Sequence, residues 1–306
     1  MLLSIIIPLF NEEENLILLC NRIKQISIPN IELETIFIDD GSTDTTPDIL
    51  ENICANDKFN YLRLSKNSGS HIAILAGMQY SKGDAVVFMA GDMQDPPELI
   101  LDMIVKWKNG NDVVWAVREN IEGISLSSKL FSKFFYLLMN TFSSVKFPPS
   151  GADFALLDKK VVTAVLQSTG SNPSLGGLIA TVGFKQTEII YIKQARAFGK
   201  SKWTLNKKLQ AFVDAFVAFS FAPMRIMIYT GIIISIIGFL YAIAIIILRL
   251  FFIKQIDGWT SIMVIILFLG GIQMLMIGIL GEYLWRNLEE SRKKPLFFIE
   301  KKSKIN

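Results

Sequence analysis

Two long stretches near the C-terminus are almost free of charge, and they restrict the possible folds more than anything else in the chain. Ile226 to Leu248 is about 23 residues without a charged side chain, roughly 34 Å long as a helix. A bilayer's hydrocarbon core is roughly 30 Å thick, so one such helix suffices to span it. Ser261 to Tyr283 is a second stretch of this kind, with its one charged side chain, Glu282, close to the end. The short connection between them predicts a helical hairpin through a membrane, with spans at about 226–248 and 261–285. Composition agrees. The 306 residues are 51% hydrophobic with mean hydropathy +0.40. The excess lies after Ile226, while the first two-thirds has the charge mixture of a globular domain. The tail, 287–306, is rich in lysine and arginine, and the positive-inside rule places it in the cytoplasm. Two spans return the chain to its starting side, so the globular domain and both termini are expected there too.

Several function classes drop out at this point. A net charge of +3 is too small to mark a nucleic-acid binder. Cys20 and Cys54 have no metal-ligand spacing and read as buried thiols of a reducing compartment. The apolar opening, Met1 to Leu9, lacks a basic flank and reads as a strand rather than a signal peptide.

The globular part alternates strands and helices. Strands are expected at Leu2–Leu9, Leu33–Ile38, Phe59–Leu64, Ala85–Ala90, Asp112–Val117, Ala152–Leu157 and Gly183–Ile192. Helices fall between most of them. Asn11 is available to cap the first and Ser42 the second. This order argues for right-handed βαβ units and a mostly parallel sheet. Polar residues sit at the strand tips: Asn11, Asp39, Asp40, Asn67, Asp92 and Gln94. In a parallel sheet they meet on one edge, where open α/β sheets hold ligands. Asp92-Met-Gln-Asp95 closes an apolar strand and stops at two prolines, and its hard oxygen donors suit Mg²⁺ or Mn²⁺. Beyond the sheet, Ser125–Ser144 has a helical pattern. A loop dense in cations (Lys193, Arg196, Lys200, Lys202) precedes Leu205–Phe221, an amphipathic stretch with the profile of a membrane-interface helix. Phosphate groups near the bilayer would suit Arg118, Lys129, Arg196 and Lys202. The domain reading is therefore 1–204 globular, 205–222 interface helix, 223–286 hairpin and 287–306 tail.

Seven short motifs in order resemble the polyprenyl-phosphate glycosyltransferases of glycosyltransferase family 2. They are Ile5-Ile-Ile-Pro-Leu-Phe-Asn-Glu-Glu-Glu14, Phe37-Ile-Asp-Asp-Gly-Ser-Thr-Asp44, Asn67-Ser-Gly-Ser-His71, Asp92-Met-Gln-Asp-Pro-Pro-Glu98 and Gly151-Ala-Asp-Phe154, then Arg196 through Trp203, and Gly281-Glu-Tyr-Leu284 to Pro295. The resemblance implies a GT-A fold, Rossmann-like with a mostly parallel sheet. It also implies inverting, metal-dependent transfer from a nucleotide-sugar, by default a UDP-sugar, to undecaprenyl or another polyprenyl phosphate. The expected place is the cytoplasmic face of a bacterial inner membrane, for cell-envelope glycan work. Pro8, Phe10, Glu12, Asp39, Asp40 and Asn67 would bind the nucleotide. Asp92 and Gln94 would ligate Mg²⁺ or Mn²⁺, with Asp95 a further candidate. Asp92 and Asp153 would be catalytic, and Arg118, Lys129, Arg196, Ser201 and Lys202 would hold the acceptor phosphate.

The chain departs from the family pattern in three places. Ala90 stands where many members have an aspartate, Ala155 where an arginine is usual, and Lys200 where an acid is common. Ala90 supports the competing reading, a non-catalytic nucleotide-binding scaffold or flippase subunit. Gly270, Gly271 and Gly278 allow close helix contacts, and hence a homo-oligomer.

Overall fold

Continuous apolar runs mark strands buried on both faces, and the first half of the chain is built from them. The computed structural model describes residues 1–119, 153–168, 175–192, 222–251, 258–292 and 294–303. Strands β1 (Leu2–Leu9), β2 (Glu32–Asp39), β3 (Phe59–Leu64) and β4 (Ala85–Phe88) run parallel. They are joined through helices α1 (Glu13–Gln25), α2 (Thr46–Asn56) and α3 (Ser70–Tyr80). Helix α4 (Leu99–Lys108) leads to β5 (Val113–Arg118). After it come β6 (Ala155–Asp158), α5 (Lys159–Gln167), α6 (Leu175–Thr181) and β7 (Gln186–Tyr191). Two long helices, α7 (Ala222–Phe251) and α8 (Trp259–Ser291), precede a last short strand, β8 (Ile299–Lys302).

The sheet has eight strands in the order β7-β5-β6-β4-β1-β2-β3-β8. Strand β6 runs antiparallel to both of its neighbours and β8 antiparallel to β3, while the other pairs are parallel. This mixed, mostly parallel sheet is the expected GT-A arrangement. Alternation along β1 divides the core. Leu3, Ile5 and Ile7 pack with Leu16 and Leu19 of α1 and Met103 of α4. Ile6 faces the opposite layer, with Ile74 of α3, Val161 of α5 and Ile179 of α6. Each such fully buried side chain stabilises the fold by about 1.5–3 kcal/mol.

Local chemistry overrides two expected caps. Asn11 does not cap α1; it adopts φ +52° and reaches across to the loop after β2. Ser42 lies four residues before α2, and its hydroxyl accepts the Asn11 N–H at 2.9 Å. Both residues tie loops together instead of ending helices. Strand β4 stops at Phe88, although Met89 still donates its N–H to Ile6 at 3.1 Å.

Helices α7 and α8 carry large apolar side chains that are more than half exposed, among them Ile228, Phe239, Phe268 and Met274. Such surfaces need an apolar surround. Among the described residues, Phe268–Glu289 is long and apolar enough to cross a membrane, while Arg225–Tyr241 is a shorter apolar stretch. The expected first span, 226–248, lies inside helix α7, whose apolar stretch among the described residues, Arg225–Tyr241, is shorter than a full span. The expected helix at 125–144 lies outside the described residues, as does the expected interface helix at 205–222 except for its last residue, Ala222, which begins α7.

The tail differs from expectation. Residues read from sequence as a basic tail include β8, which adds an edge strand to β3. Four residues with two lysines and a glutamate give no apolar signal, and the pairing surface offered by β3 decides their structure.

Candidate active site

The parallel strands bring most of the polar tips to one edge of the sheet. On the β1–β3 side the loops are fastened to one another. Asp40 accepts the Ser68 N–H at 2.7 Å with one carboxylate oxygen and the Gly69 N–H at 2.8 Å with the other. Burial pushes its carboxyl above the usual carboxylate range; the two amides oppose that, and neighbouring Asp39 adds to it. Asp39 is fully buried. Its oxygens accept the Ser42 N–H at 2.9 Å and Arg63 Nη1 at 2.8 Å. Glu12 donates its N–H to Thr46 Oγ1 at 3.0 Å, and its carboxylate accepts Asn15 Nδ2 at 2.7 Å. Pro8 and Phe10 are half-buried at the tip of β1, and Asn67 is exposed beside them in sequence order after β3. Gly41 explains the closeness of these loops. It takes φ +70°, and a Cβ there would stand 2.7 Å from the Asn67 nitrogen and from the Lys66 carbonyl carbon.

At the centre, β4 delivers Asp92 and Gln94. Asp92 Oδ1 accepts the Gln94 N–H at 3.2 Å, closing a turn around Met93, which is buried at φ +62°. A non-glycine residue held there stores strain, and such strain gathers at functional sites. Gly91 lets the turn sit against β1, since a Cβ would lie 2.4 Å from Leu9 Cδ2. Asp95 follows the turn directly. It is fully buried and accepts the Tyr191 hydroxyl.

On the far side, Arg118 at the tip of β5 forms an ion pair with Asp153, just before β6, with side chains 30% and 50% exposed. Burial works against the guanidinium charge, but Asp153, Tyr191 and Asp95 outweigh it and hold the pKa of Arg118 above its ordinary value. Burial and Asp95 push the Tyr191 phenol up, so it stays protonated and able to donate. Asp95 and Tyr191 thus join the Asp92 turn to Arg118 and Asp153. Lys129, Arg196, Ser201 and Lys202 lie outside the described residues. Cys20 and Cys54 are free thiols, pushed up to about 12 chiefly by burial, and take no part in the site.

Two residues escaped the sequence reading. Tyr191 ends a strand and Arg63 interrupts an apolar one, Tyr61-Leu-Arg-Leu64. A lone cation in a buried strand signals a carboxylate partner, but not which one.

The donor set can be tested against a divalent ion. Among the described residues no three His, Cys, Asp or Glu side chains form a metal cluster. What remains is one carboxylate and one amide oxygen in a half-buried turn. That is a poor closed cage, but it fits an ion that shares its coordination with phosphate oxygens and water, as Mg²⁺ sites commonly do.

Comparisons with known proteins show the family. Residues 4–165 match the family described as Glycosyl transferase family 2, and residues 222–286 match the GtrB C-terminal hairpin. An uncharacterized glycosyltransferase of Bacillus subtilis, YkcC, is 38% identical over 97% of this chain and 93% of its own length. A prophage bactoprenol glucosyl transferase homolog of Escherichia coli is 32% identical over 99% of this chain and its full length. The bactoprenol glucosyl transferase of Shigella phage SfV is 33% identical over 98% of both chains.

Proposed function

The chain belongs to glycosyltransferase family 2, and on that premise we propose that it moves a sugar from a nucleotide-sugar to a polyprenyl phosphate at the cytoplasmic face of a bacterial membrane. It is a glycosyltransferase by family; the acceptor, the metal and the place are the proposal. The observation that carries it is the shared sheet edge, where fastened loops, the Asp92 turn and the Arg118–Asp153 pair meet. The names of the bactoprenol relatives and the hairpin match support a lipid acceptor.

In the proposed reaction an acceptor phosphate oxygen bonds to the anomeric carbon from the face opposite the nucleotide. The bond from that carbon to the diphosphate oxygen breaks, and the nucleoside diphosphate leaves with the electron pair. Attack from the opposite face inverts the anomeric centre. The loops around Asp40, Glu12, Phe10 and Pro8 hold the nucleotide, with UDP the default. Asp92 and Gln94 would hold Mg²⁺ or Mn²⁺, which when bound supplies positive charge to a leaving diphosphate. Arg118 binds the acceptor phosphate. A phosphate monoester is already ionised near neutral pH, so Asp153 orients Arg118 and the acceptor rather than taking a proton. Orientation and charge then supply most of the rate. The hairpin, with the amphipathic segment before it, keeps this edge at the bilayer where a lipid head is found.

Purified full chain, polyprenyl phosphate and radiolabelled nucleotide-sugars test the reading. Label should enter the lipid extract, and both chelation and Asp92→Ala should lower it about a thousandfold or more. A non-catalytic scaffold would transfer no label with any donor, with or without metal. Undiminished transfer by Asp92→Ala would remove the metal role.

A further inference from the structure

Beyond its backbone ladder with β3, the last strand sends Glu300 to Arg63, which holds the turn after β2. Strand β8 pairs with β3 so that Leu62 faces Lys302 and Arg63 faces Lys301, but Leu64 faces Ile299. The register therefore slips by one residue, and Glu300 is the extra one. In an unbroken strand Glu300 would point to the face opposite Lys301. A bulge re-aims a side chain and recurs beside active sites. Here Glu300 and Lys301 both reach partners on the α2 side. Lys301 Nζ meets Glu51 of α2 at 2.5 Å, and Glu300 Oε2 accepts Arg63 Nε at 2.8 Å.

Arg63 is the junction. Its side chain is 22% exposed, and all three guanidinium nitrogens are engaged. Nε donates to Glu300, Nη1 to Asp39 at 2.8 Å, and Nη2 to the Ser42 carbonyl at 3.3 Å. Asp39 and Ser42 are the two ends of the turn that carries Asp40 and Gly41. Ser42 also accepts the Asn11 N–H from the loop after β1. One guanidinium thus neutralises a fully buried carboxylate and clamps the turn that organises three loops.

We propose that Arg63 is a positioning residue for the nucleotide-side loops and that Glu300, supplied by the strand after the hairpin, sets its orientation. Nucleotide affinity then depends on the far end of the chain, beyond the segment that enters the membrane. The inference rests on the proposed nucleotide-sugar donor and adds residues that bind no ligand themselves. Arg63 and Glu300 hold the turn and leave the acceptor side, Arg118 and Asp153, untouched.

Calorimetric titration of the full chain with a panel of nucleoside diphosphates tests it, alongside steady-state transfer. Glu300→Ala should weaken nucleotide binding about fivefold to tenfold, as expected for loss of one charge-assisted hydrogen bond. The donor KM should rise in step, with kcat and the acceptor KM held within about twofold. Glu300→Gln keeps a neutral acceptor for Nε and should recover part of the loss. Lys301→Ala removes a strand-to-helix ion pair while keeping the three hydrogen bonds of Arg63, and should leave nucleotide affinity within about twofold of wild type. An unchanged affinity in Glu300→Ala overturns the proposal. So does an equal loss in Lys301→Ala, which would make the strand a general brace. A wild-type chain that binds none of the nucleotides overturns the proposed donor as well, and is thereby distinguished from a failure confined to Glu300.

Discussion

The two halves of the sheet edge are held by different mixtures of bond, with the buried Arg63–Asp39 ion pair belonging to the β1–β3 half. On the β1–β3 side, carboxylates and hydroxyls grip backbone N–H groups: Asp40 on Ser68 and Gly69, Asp39 on Ser42, Ser42 on Asn11, and Thr46 on Glu12. On the β5–β7 side the contacts join side chain to side chain, Arg118 to Asp153 and Tyr191 to Asp95. Backbone-anchored loops are set before a ligand arrives, whereas an ion pair 30% and 50% exposed contributes little stability and costs little to break. On the proposed function, the first arrangement would hold the nucleotide, and the second would let a lipid phosphate take the guanidinium from Asp153.

Substitutions on either side should therefore fail differently. Arg118→Ala is expected to lower kcat/KM for the lipid acceptor about a hundredfold while nucleotide affinity stays within about twofold. A comparable loss of nucleotide affinity would erase the distinction. Gly41→Ala should do the reverse. Its Cβ meets the Lys66–Asn67 backbone at 2.7 Å, so nucleotide binding should weaken at least about tenfold and stability fall by about 1–3 kcal/mol, read by titration and thermal unfolding. Tyr191→Phe removes the hydroxyl donor to Asp95 and loosens the setting of Arg118. It should reduce acceptor turnover about threefold to tenfold, with the donor KM unchanged.

The smallest effect concerns pH. The Asp40 carboxyl is raised in the folded chain, so its contribution to stability is full below the unfolded value of 3.8 and is lost as pH rises through the folded one. Subtracting the unfolding curve of Asp40→Asn from that of wild type should reveal that slope from about pH 4 upward. A difference that rises with pH would mean the two amides outweigh burial, and a flat one that they balance it.

The same contrast explains what the sequence discloses. Asp39, Asp40, Asp92 and Gln94 follow apolar strands directly, so their place at the sheet edge is legible from local pattern once the strands are taken as parallel. Residues joined across long separations are not. Tyr191 meets Asp95 at a separation of 96 residues and Arg63 meets Glu300 at 237, and no periodicity encodes either contact. Strand direction is equally hidden: β6 reads as one more strand, yet it runs against its neighbours. The charged strand β8 has no apolar signature, because an edge strand gains its stability from pairing rather than burial. Asn11 and Ser42 were misleading because the oxygen atoms that cap helices can equally bind a neighbouring loop.

Mass measurement of the lipid product is the most direct test of the central claim that Asp92 at this edge enables a sugar to pass from nucleotide to lipid. Full chain, polyprenyl phosphate, Mg²⁺ or Mn²⁺ and one nucleotide-sugar at a time should yield, for at least one donor, a lipid heavier by a single sugar. Asp92→Ala should yield none. A lipid of unchanged mass with every donor, or the same product from Asp92→Ala as from wild type, would contradict the account.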